Sequence, residues 1–247
     1  DYTTHVIILP AGPGKRPSLF VLPTLAPRGG MFGSGITPAL IFTRIITLVI
    51  AFSVHEFSHA FVADRLGDNT PRSQGRLTLN PAAHLDLMGS IMLLLAGFGW
   101  AKPVQINPYA LQRRSPAGVM WVSLAGPASN LLLAALAAIP LRFNWVPFSF
   151  GTDILPSLYY FLLEFLSINL LLMLFNLIPL APLDGEKIAS FFFPPPLDRV
   201  MDAIRPYGSM ILLALVFVGP MLGVNIIDWI MGTPLTNLYR LLLGGSF

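Results

Sequence analysis

The chain contains no cysteine, and few of its 247 residues carry a charge. The lack of cysteine excludes disulfide bonds, thiolate metal sites and cysteine nucleophiles. Charged residues make up 11% of the sequence, against about 25% in a typical soluble domain, while hydrophobic residues make up 54%. This balance indicates an integral membrane protein whose surroundings are the lipid bilayer. A net charge of +3 is too small to indicate a nucleic-acid partner.

Histidine is also scarce, and the chain has only four. Two of them, His55 and His59, flank Glu56 in a His-Glu-x-x-His motif inside a long apolar stretch. Residues four apart lie on one face of a helix, so both imidazoles can bind one metal ion. Glu56 is placed to take a proton from water at that metal. Hydrocarbon penalises ionisable side chains, which favours a catalytic metal site over a pair of packed core histidines.

The apolar stretches predict an all-α polytopic membrane protein with about four transmembrane helices. The first stretch has clear boundary signals, since Thr37 can cap the helix, Pro38 suits its first position and Gly67 suits its end. The four predicted spans are Pro38–Leu66, Ala117–Leu141, Ser157–Ile178 and Tyr207–Ile227.

Two further elements are predicted beside the spans. Leu87–Phe98 is apolar but shorter than the roughly 17 residues that a spanning helix needs. The next residues, Phe98–Ile106, have the pattern of a turn and a short strand, so a short re-entrant helix and β-hairpin element is expected here. An interfacial C-terminal helix is predicted by the helical spacing of Leu235, Leu238, Tyr239 and Leu242.

We expect three parts along the chain. Residues 1–35 form a flexible extension rich in proline and glycine, residues 36–227 form the membrane core, and residues 228–247 form an amphipathic tail. There is no internal repeat and no separate soluble domain.

A catalytic zinc usually has three protein ligands, so a third ligand must come from outside the motif. Glu164 lies near the start of its helix, which places it at the opposite membrane surface. Asp184 follows a helix broken by proline, and it can meet the histidines if the first and third spans run in the same direction. The second span supplies the single crossing that this direction requires. His84 and Asp86, in a polar loop on the same side, remain alternative ligands.

Several motifs in a fixed order extend the pattern beyond His55–His59. They are Asn80-Pro81-x-x-His84-Leu85-Asp86, Phe98-Gly99-Trp100-Ala101-Lys102-Pro103-Val104, Gly126-Pro127-x-x-Asn130 and Asn176 followed by Pro182-Leu183-Asp184-Gly185. Over roughly residues 36–227 these motifs resemble the site-2 protease family of intramembrane zinc metalloproteases, and most closely its compact bacterial members without PDZ or CBS domains.

The resemblance implies a concrete active site. One zinc ion per chain would be held by His55, His59 and Asp184. Glu56 would be the general base, and Asn176 would contact the substrate carbonyl or oxyanion. The reaction would be hydrolysis of peptide bonds in or near the transmembrane segments of single-pass or other membrane proteins. Weaker candidates for substrate contact or for support of the metal ligands are His84, Asp86, Trp100, Lys102 and Asn130.

Two alternatives from other functional classes use the same residues. A divalent-metal transporter could use the histidines and Asp184 as a transit site, and a non-catalytic scaffold could bind membrane proteins without cleaving them. Glu56 beside the ligands favours catalysis over transport. A cleavage assay separates the protease from both alternatives.

Charge predicts the orientation in the cell membrane. Arginine and lysine in short loops mark the cytoplasmic side. With four spans, residues 67–116 and 181–206 share one side, and the active site should open there, towards the cytoplasm. The basic residues of these two segments are Arg72, Arg76, Lys102, Arg113, Arg114, Lys187, Arg199 and Arg205.

Overall fold

Helices form most of the part of the chain that the structure, a computed structural model, describes. That part comprises residues 6–9, 18–21, 37–86, 88–89, 101–149, 152 and 154–244. Its helices are α1 (Pro38–Arg65), α2 (Thr70–Ser73), α3 (Pro108–Arg114), α4 (Gly118–Arg142), α5 (Leu158–Asn176), α6 (Asp184–Phe192), α7 (Pro195–Ile204), α8 (Gly208–Leu213), α9 (Gly219–Met221) and α10 (Ile226–Leu243).

Shorter elements connect or precede these helices. Single 3₁₀ turns occur at Pro81–Ala83 and Arg205–Tyr207, and a π-helical segment, Ala214–Val218, joins α8 to α9. Strands β1 (Val6–Leu9) and β2 (Ser18–Val21) pair antiparallel, with Val6 opposite Val21.

Four helical segments among the described residues are long and apolar enough to cross a membrane. They are α1, α4, α5 and the composite segment Pro195–Met221. The first three lie within two residues of the predicted spans at each end. The fourth predicted span, Tyr207–Ile227, overlaps only the second half of the composite segment Pro195–Met221.

The start and end of α1 follow from local sequence. The Thr37 side chain accepts a hydrogen bond from the Leu40 backbone N–H at 3.2 Å, and Pro38 occupies the first turn, where a missing N–H costs nothing. After the helix, Gly67 adopts a φ of +91°, which few other residues tolerate. The boundary signals in the sequence are therefore confirmed.

Helix α4 packs against both α1 and α5, and its small residues allow the close approach. Where α3 packs on the start of α4, Gly118 has no room for a side chain, because a Cβ there would lie 2.7 Å from the carbonyl oxygen of Leu111 in α3. Further along, Ala134 and Ala138 are buried in the apolar core with Leu166 and Leu170 of α5.

Helices α1 and α5 run in the same direction. Near their starts, Arg44 of α1 approaches Glu164 of α5, with Nη2 3.5 Å from Oε1. Towards the end of α1, His55 approaches Asp184, which follows the end of α5. The parallel arrangement that the third-ligand argument required is confirmed. We call the His55 end of the bundle the site end and the Glu164 end the far end.

The last helix, α10, packs along α5 instead of lying across one end of the bundle. Ile227 and Met231 pack with Ile178 and Leu183 at the site end. At the other end of α10, the Leu241 carbonyl oxygen accepts a hydrogen bond from the Arg142 guanidinium at 2.8 Å.

This packing corrects the predicted interfacial position of the C-terminal helix. The buried residues of α10 recur every four positions, at Ile227, Met231, Leu235 and Tyr239. Such an apolar stripe can face either lipid headgroups or neighbouring helices, and its spacing does not distinguish them. Here the Tyr239 hydroxyl donates to Ser167 Oγ at 2.5 Å, within the third span.

Part of the predicted re-entrant element falls on residues 87 and 90–100, outside the described residues. Beyond them, Ala101 forms an isolated antiparallel bridge with Leu85, and residues 102–107 form neither helix nor regular strand. The flexibility of residues 1–35 and the three-part division of the chain stay predictions.

Candidate active site

Helix α1 presents both motif histidines to the interior with their Nε2 atoms on the same side. His55 Nδ1 lies 2.6 Å from Asn130 Oδ1, and His59 Nδ1 lies 2.7 Å from the Val122 carbonyl oxygen. A carbonyl oxygen only accepts, so His59 must carry its proton on Nδ1. A neutral His59 therefore presents its Nε2 lone pair to a metal ion.

Asp184 completes a cluster with these two nitrogens. Its Oδ2 lies 3.2 Å from His55 Nε2 and 3.1 Å from His59 Nε2. Gly185 makes this placement possible, because α6 begins against the end of α5 and a Cβ at Gly185 would lie 2.4 Å from the Ile178 carbonyl oxygen. Burial would raise the pKa of the Asp184 carboxyl, but the two imidazoles hold that pKa below its usual value.

The cluster passes two tests of fit to a zinc ion. First, His55, His59 and Asp184 each offer one ligand atom, and these atoms all lie within 4.8 Å of one another. Two imidazole nitrogens and one carboxylate oxygen are a donor set of catalytic zinc sites. Second, Gly126 leaves space where the nitrogens converge, since a Cβ there would lie 2.5 Å from both Nε2 atoms.

Glu56 lies beside the cluster, next to the last part of the predicted re-entrant element. Its side chain is buried, and its Oε2 accepts a hydrogen bond from the Val104 backbone N–H at 3.0 Å. A cavity of about 110 Å³ opens here. Besides the cluster and Glu56, its lining includes Pro103, Val104, Asn176, Pro182 and Lys187.

The structure brings some of the weaker candidates to the site. Asn130 contacts His55, and Asn176 lines the cavity while its Nδ2 donates to the Leu172 carbonyl oxygen at 3.0 Å. Lys102 is exposed and does not line this cavity, although its backbone N–H donates to the His84 carbonyl oxygen at 2.8 Å.

Other weaker candidates lie elsewhere. His84 is fully buried and its Nε2 lies 2.7 Å from the Thr78 carbonyl oxygen, while Asp86 Oδ1 accepts from the Gly89 backbone N–H at 2.8 Å. Neither belongs to the three-residue cluster of possible metal ligands. These hydrogen bonds of both side chains lie within the loop. Trp100 lies outside the described residues.

Arg76 is a residue that the sequence analysis counted only as a charge. Its side chain is buried and donates to two carbonyl oxygens, those of Ala83 and of Pro103, the second at 3.1 Å. This double contact fastens residues 101–104 to the loop before them, which holds Val104 against Glu56. A buried arginine in a turn-rich loop is a signal for such a role, but its partners are distant in sequence.

Comparison with known proteins agrees with this geometry. The profile of peptidase family M50 matches residues 43–218. The chain belongs to peptidase family M50. Among M50-like relatives, a Bacillus subtilis protein named "Putative zinc metalloprotease YwhC" is 44% identical over 181 residues, which cover 72% of this chain and 80% of that protein.

Two mycobacterial relatives carry the name "Putative zinc metalloprotease Rip2". The protein of Mycolicibacterium smegmatis is 32% identical, covering 71% of this chain and 69% of its own length. The Mycobacterium tuberculosis (strain H37Rv) protein is 31% identical, covering 74% and 70%. No solved structure matches the chain.

Membership of family M50 and the apolar helices together define the class of protein. It is an integral membrane protein and an intramembrane zinc metalloprotease of the site-2 type. Neither the transporter nor the scaffold alternative is supported by these relatives.

Proposed function

We propose that His55, His59 and Asp184 hold one zinc ion and that Glu56 is the general base of peptide hydrolysis. The observation that carries this proposal is the convergence of three ligand atoms within 4.8 Å. Gly126 leaves the space between them empty of side chain, and Glu56 stands next to His55 at the edge of the same cavity.

The protein side chains supply the proton transfers. When bound, zinc supplies a Lewis acid that activates a water molecule and polarises the scissile carbonyl group. Glu56 takes the proton of that water and later delivers it to the leaving amine. The Val104 N–H fixes one carboxylate oxygen of Glu56, which leaves the other oxygen for the proton. Asn176, at the cavity wall, donates to the oxyanion that develops on the scissile carbonyl.

We further propose that residues 102–106 bind substrate as an extended strand. A substrate helix satisfies its amides internally, so cleavage requires local unwinding, and an added strand would replace the lost hydrogen bonds. This segment is neither helix nor regular strand, and it borders the cavity at Pro103, Val104 and Ile106. The substrates in this proposal are single-pass or other membrane proteins.

The experiment that tests the catalytic roles is cleavage of a membrane-protein substrate by purified protein in detergent. Glu56→Gln should keep about one zinc per chain but lose cleavage by on the order of 10²- to 10⁴-fold, because it removes the base without removing a ligand. Asn176→Ala should lose about 10²-fold, as one oxyanion donor is worth. Substantial turnover by Glu56→Gln would refute the assigned base.

The site is proposed to open towards the cytoplasm. The loops at the site end carry the basic excess that marks the cytoplasmic side. Because the chain has no cysteine, single cysteines report orientation directly. Arg113→Cys should resist an impermeant thiol reagent in intact cells, whereas Ser149→Cys, beyond the end of α4, should react. The reverse pattern would place the site on the outer side.

A further inference from the structure

We propose that Asn169 is a positioning residue, which sets the tautomer and orientation of His55 through Asn130. Asn169 lies in the third span, outside the motifs and outside the metal-site cavity. The inference rests on the proposed role of His55 as a zinc ligand, and it adds a residue of α5 to the support of that ligand.

Three hydrogen bonds form a chain across α1, α4 and α5. His55 Nδ1 contacts Asn130 Oδ1 at 2.6 Å, and Asn130 Nδ2 donates to Asn169 Oδ1 at 2.9 Å. In the last of the three bonds, Asn169 Nδ2 donates to the Phe165 carbonyl oxygen at 2.8 Å. Both asparagines are fully buried, so water does not compete for these groups.

These three hydrogen bonds allow only one assignment of donors and acceptors. The oxygen and nitrogen of an asparagine amide are distinguished by their partners. The Phe165 carbonyl oxygen only accepts, so the Asn169 group facing it must be the NH₂ group, and its oxygen faces Asn130. Asn130 must then turn its NH₂ group to Asn169 and its oxygen to His55. Reversing either amide would set two acceptors or two donors against each other.

The result of this assignment is a defined imidazole. Because Asn130 offers His55 an acceptor, His55 must carry a proton on Nδ1. In the neutral ring the Nε2 lone pair is then directed to the side of Asp184 and His59, where the metal ion would be held. His59 also carries a proton on Nδ1, because its Nδ1 contacts the Val122 carbonyl oxygen directly. An amide side chain, unlike a backbone carbonyl, can rotate, so Asn130 needs a second group to hold it. Asn169 is that group.

Asn169 differs from an ordinary buried polar residue because its hydrogen bond to Asn130 connects it to His55. Ser167, two positions earlier on α5, is also buried, and it contacts the Leu163 carbonyl oxygen and the Tyr239 hydroxyl. Among the described residues, Ser167 has no hydrogen bond to the site. Ser167→Ala is therefore a matched control for the loss of a buried hydrogen bond in the same helix.

The test uses full-length protein in detergent micelles with two readouts. Zinc affinity is measured by competition with a chelator, and the tautomers are read from ¹⁵N signals of the imidazoles in the metal-free protein. Only four histidines contribute, so the His55 signals are assigned by one His55→Gln sample. Asn169→Ala is compared with Asn169→Asp, whose neutral form keeps both an acceptor for Asn130 and a donor for Phe165.

We expect Asn169→Ala to weaken zinc binding about 10-fold, the lower end for partners of a metal-bound histidine. In part of the Asn169→Ala molecules, His55 Nδ1 should then be unprotonated. Asn169→Asp and Ser167→Ala should both stay within about 2-fold of wild-type affinity and keep His55 Nδ1 protonated.

Three results would overturn the inference. They are wild-type affinity and spectrum in Asn169→Ala, a loss in Asn169→Asp equal to that in Asn169→Ala, and an equal loss in Ser167→Ala. If the wild type itself bound no zinc, the proposed metal site would fail. The tautomer measurement on metal-free protein would still decide the role of Asn169.

Discussion

The two ends of the helix bundle each bury a carboxylate near basic groups, yet they are built differently. At the site end, Asp184 lies within 3.2 Å of two imidazole nitrogens whose other ring atoms are already hydrogen bonded. Gly126 keeps the space between these atoms open. The three possible ligand atoms converge within 4.8 Å of one another, which is the arrangement a metal ion needs.

At the far end, Glu164 has weaker and less directed contacts. Arg44 Nη2 lies 3.5 Å from its Oε1, and the Tyr160 hydroxyl lies 3.4 Å from the same oxygen. Its Oε2 is buried with no hydrogen-bond partner among the described residues. A buried carboxylate in a membrane-spanning helix is therefore not enough to make a metal site. What distinguishes the site end is converging lone pairs around an open space.

The largest effect should come from removing a metal ligand. Asp184→Ala should abolish both zinc content and cleavage, because the two histidines alone cannot retain the ion at micromolar free zinc. Metal analysis of purified protein and a cleavage assay measure the two losses. His84→Ala is the control, since His84 contacts a loop carbonyl and should keep its zinc. If Asp184→Ala kept its metal while His84→Ala lost it, the third ligand would be His84.

A smaller but still large effect should follow from filling the open space. Gly126→Ala places a methyl group 2.5 Å from both Nε2 atoms, so the imidazoles must shift before zinc can bind. A displacement near 1 Å at a reacting centre costs about 10²-fold in rate. Chelator competition should show weaker zinc binding as well. The control is Ala134→Gly, which exchanges the same two residue types in the reverse direction on the same helix, away from the site. Wild-type zinc affinity in Gly126→Ala would mean that this space is not the metal position.

The smallest effect is expected at the far end. Glu164→Gln keeps an oxygen for Arg44 and Tyr160 and removes only the charge, so zinc content and cleavage should change by less than about 2-fold. Because Arg44 is partly exposed, the lost ion pair should cost at most about 1 kcal/mol of stability. Thermal unfolding in detergent measures this change. A tenfold loss of cleavage with full zinc content would show that the far end takes part in the reaction, which would erase the contrast between the two ends.

Much of the architecture could be predicted from the sequence because it depends on local or single-chain properties. Thr37, Pro38 and Gly67 mark the limits of α1 by the needs of unpaired backbone groups at helix ends. Hydropathy located three spans because the hydrocarbon thickness sets their length. The spacing of His55 and His59 and the count of crossings favoured Asp184 as their partner, while His84 and Asp86 stayed open as alternatives.

Only the tertiary structure decided which groups support those ligands. The Val122 carbonyl oxygen has no signal in its side chain, and Asn169 became informative only when Asn130 was found between it and His55. The place of α10 was decided in the same way, since its apolar stripe fits a bundle as well as an interface. Helical periodicity indicates which face of a helix is apolar or polar. Which element packs against that face is set by contacts between residues that are distant in the chain.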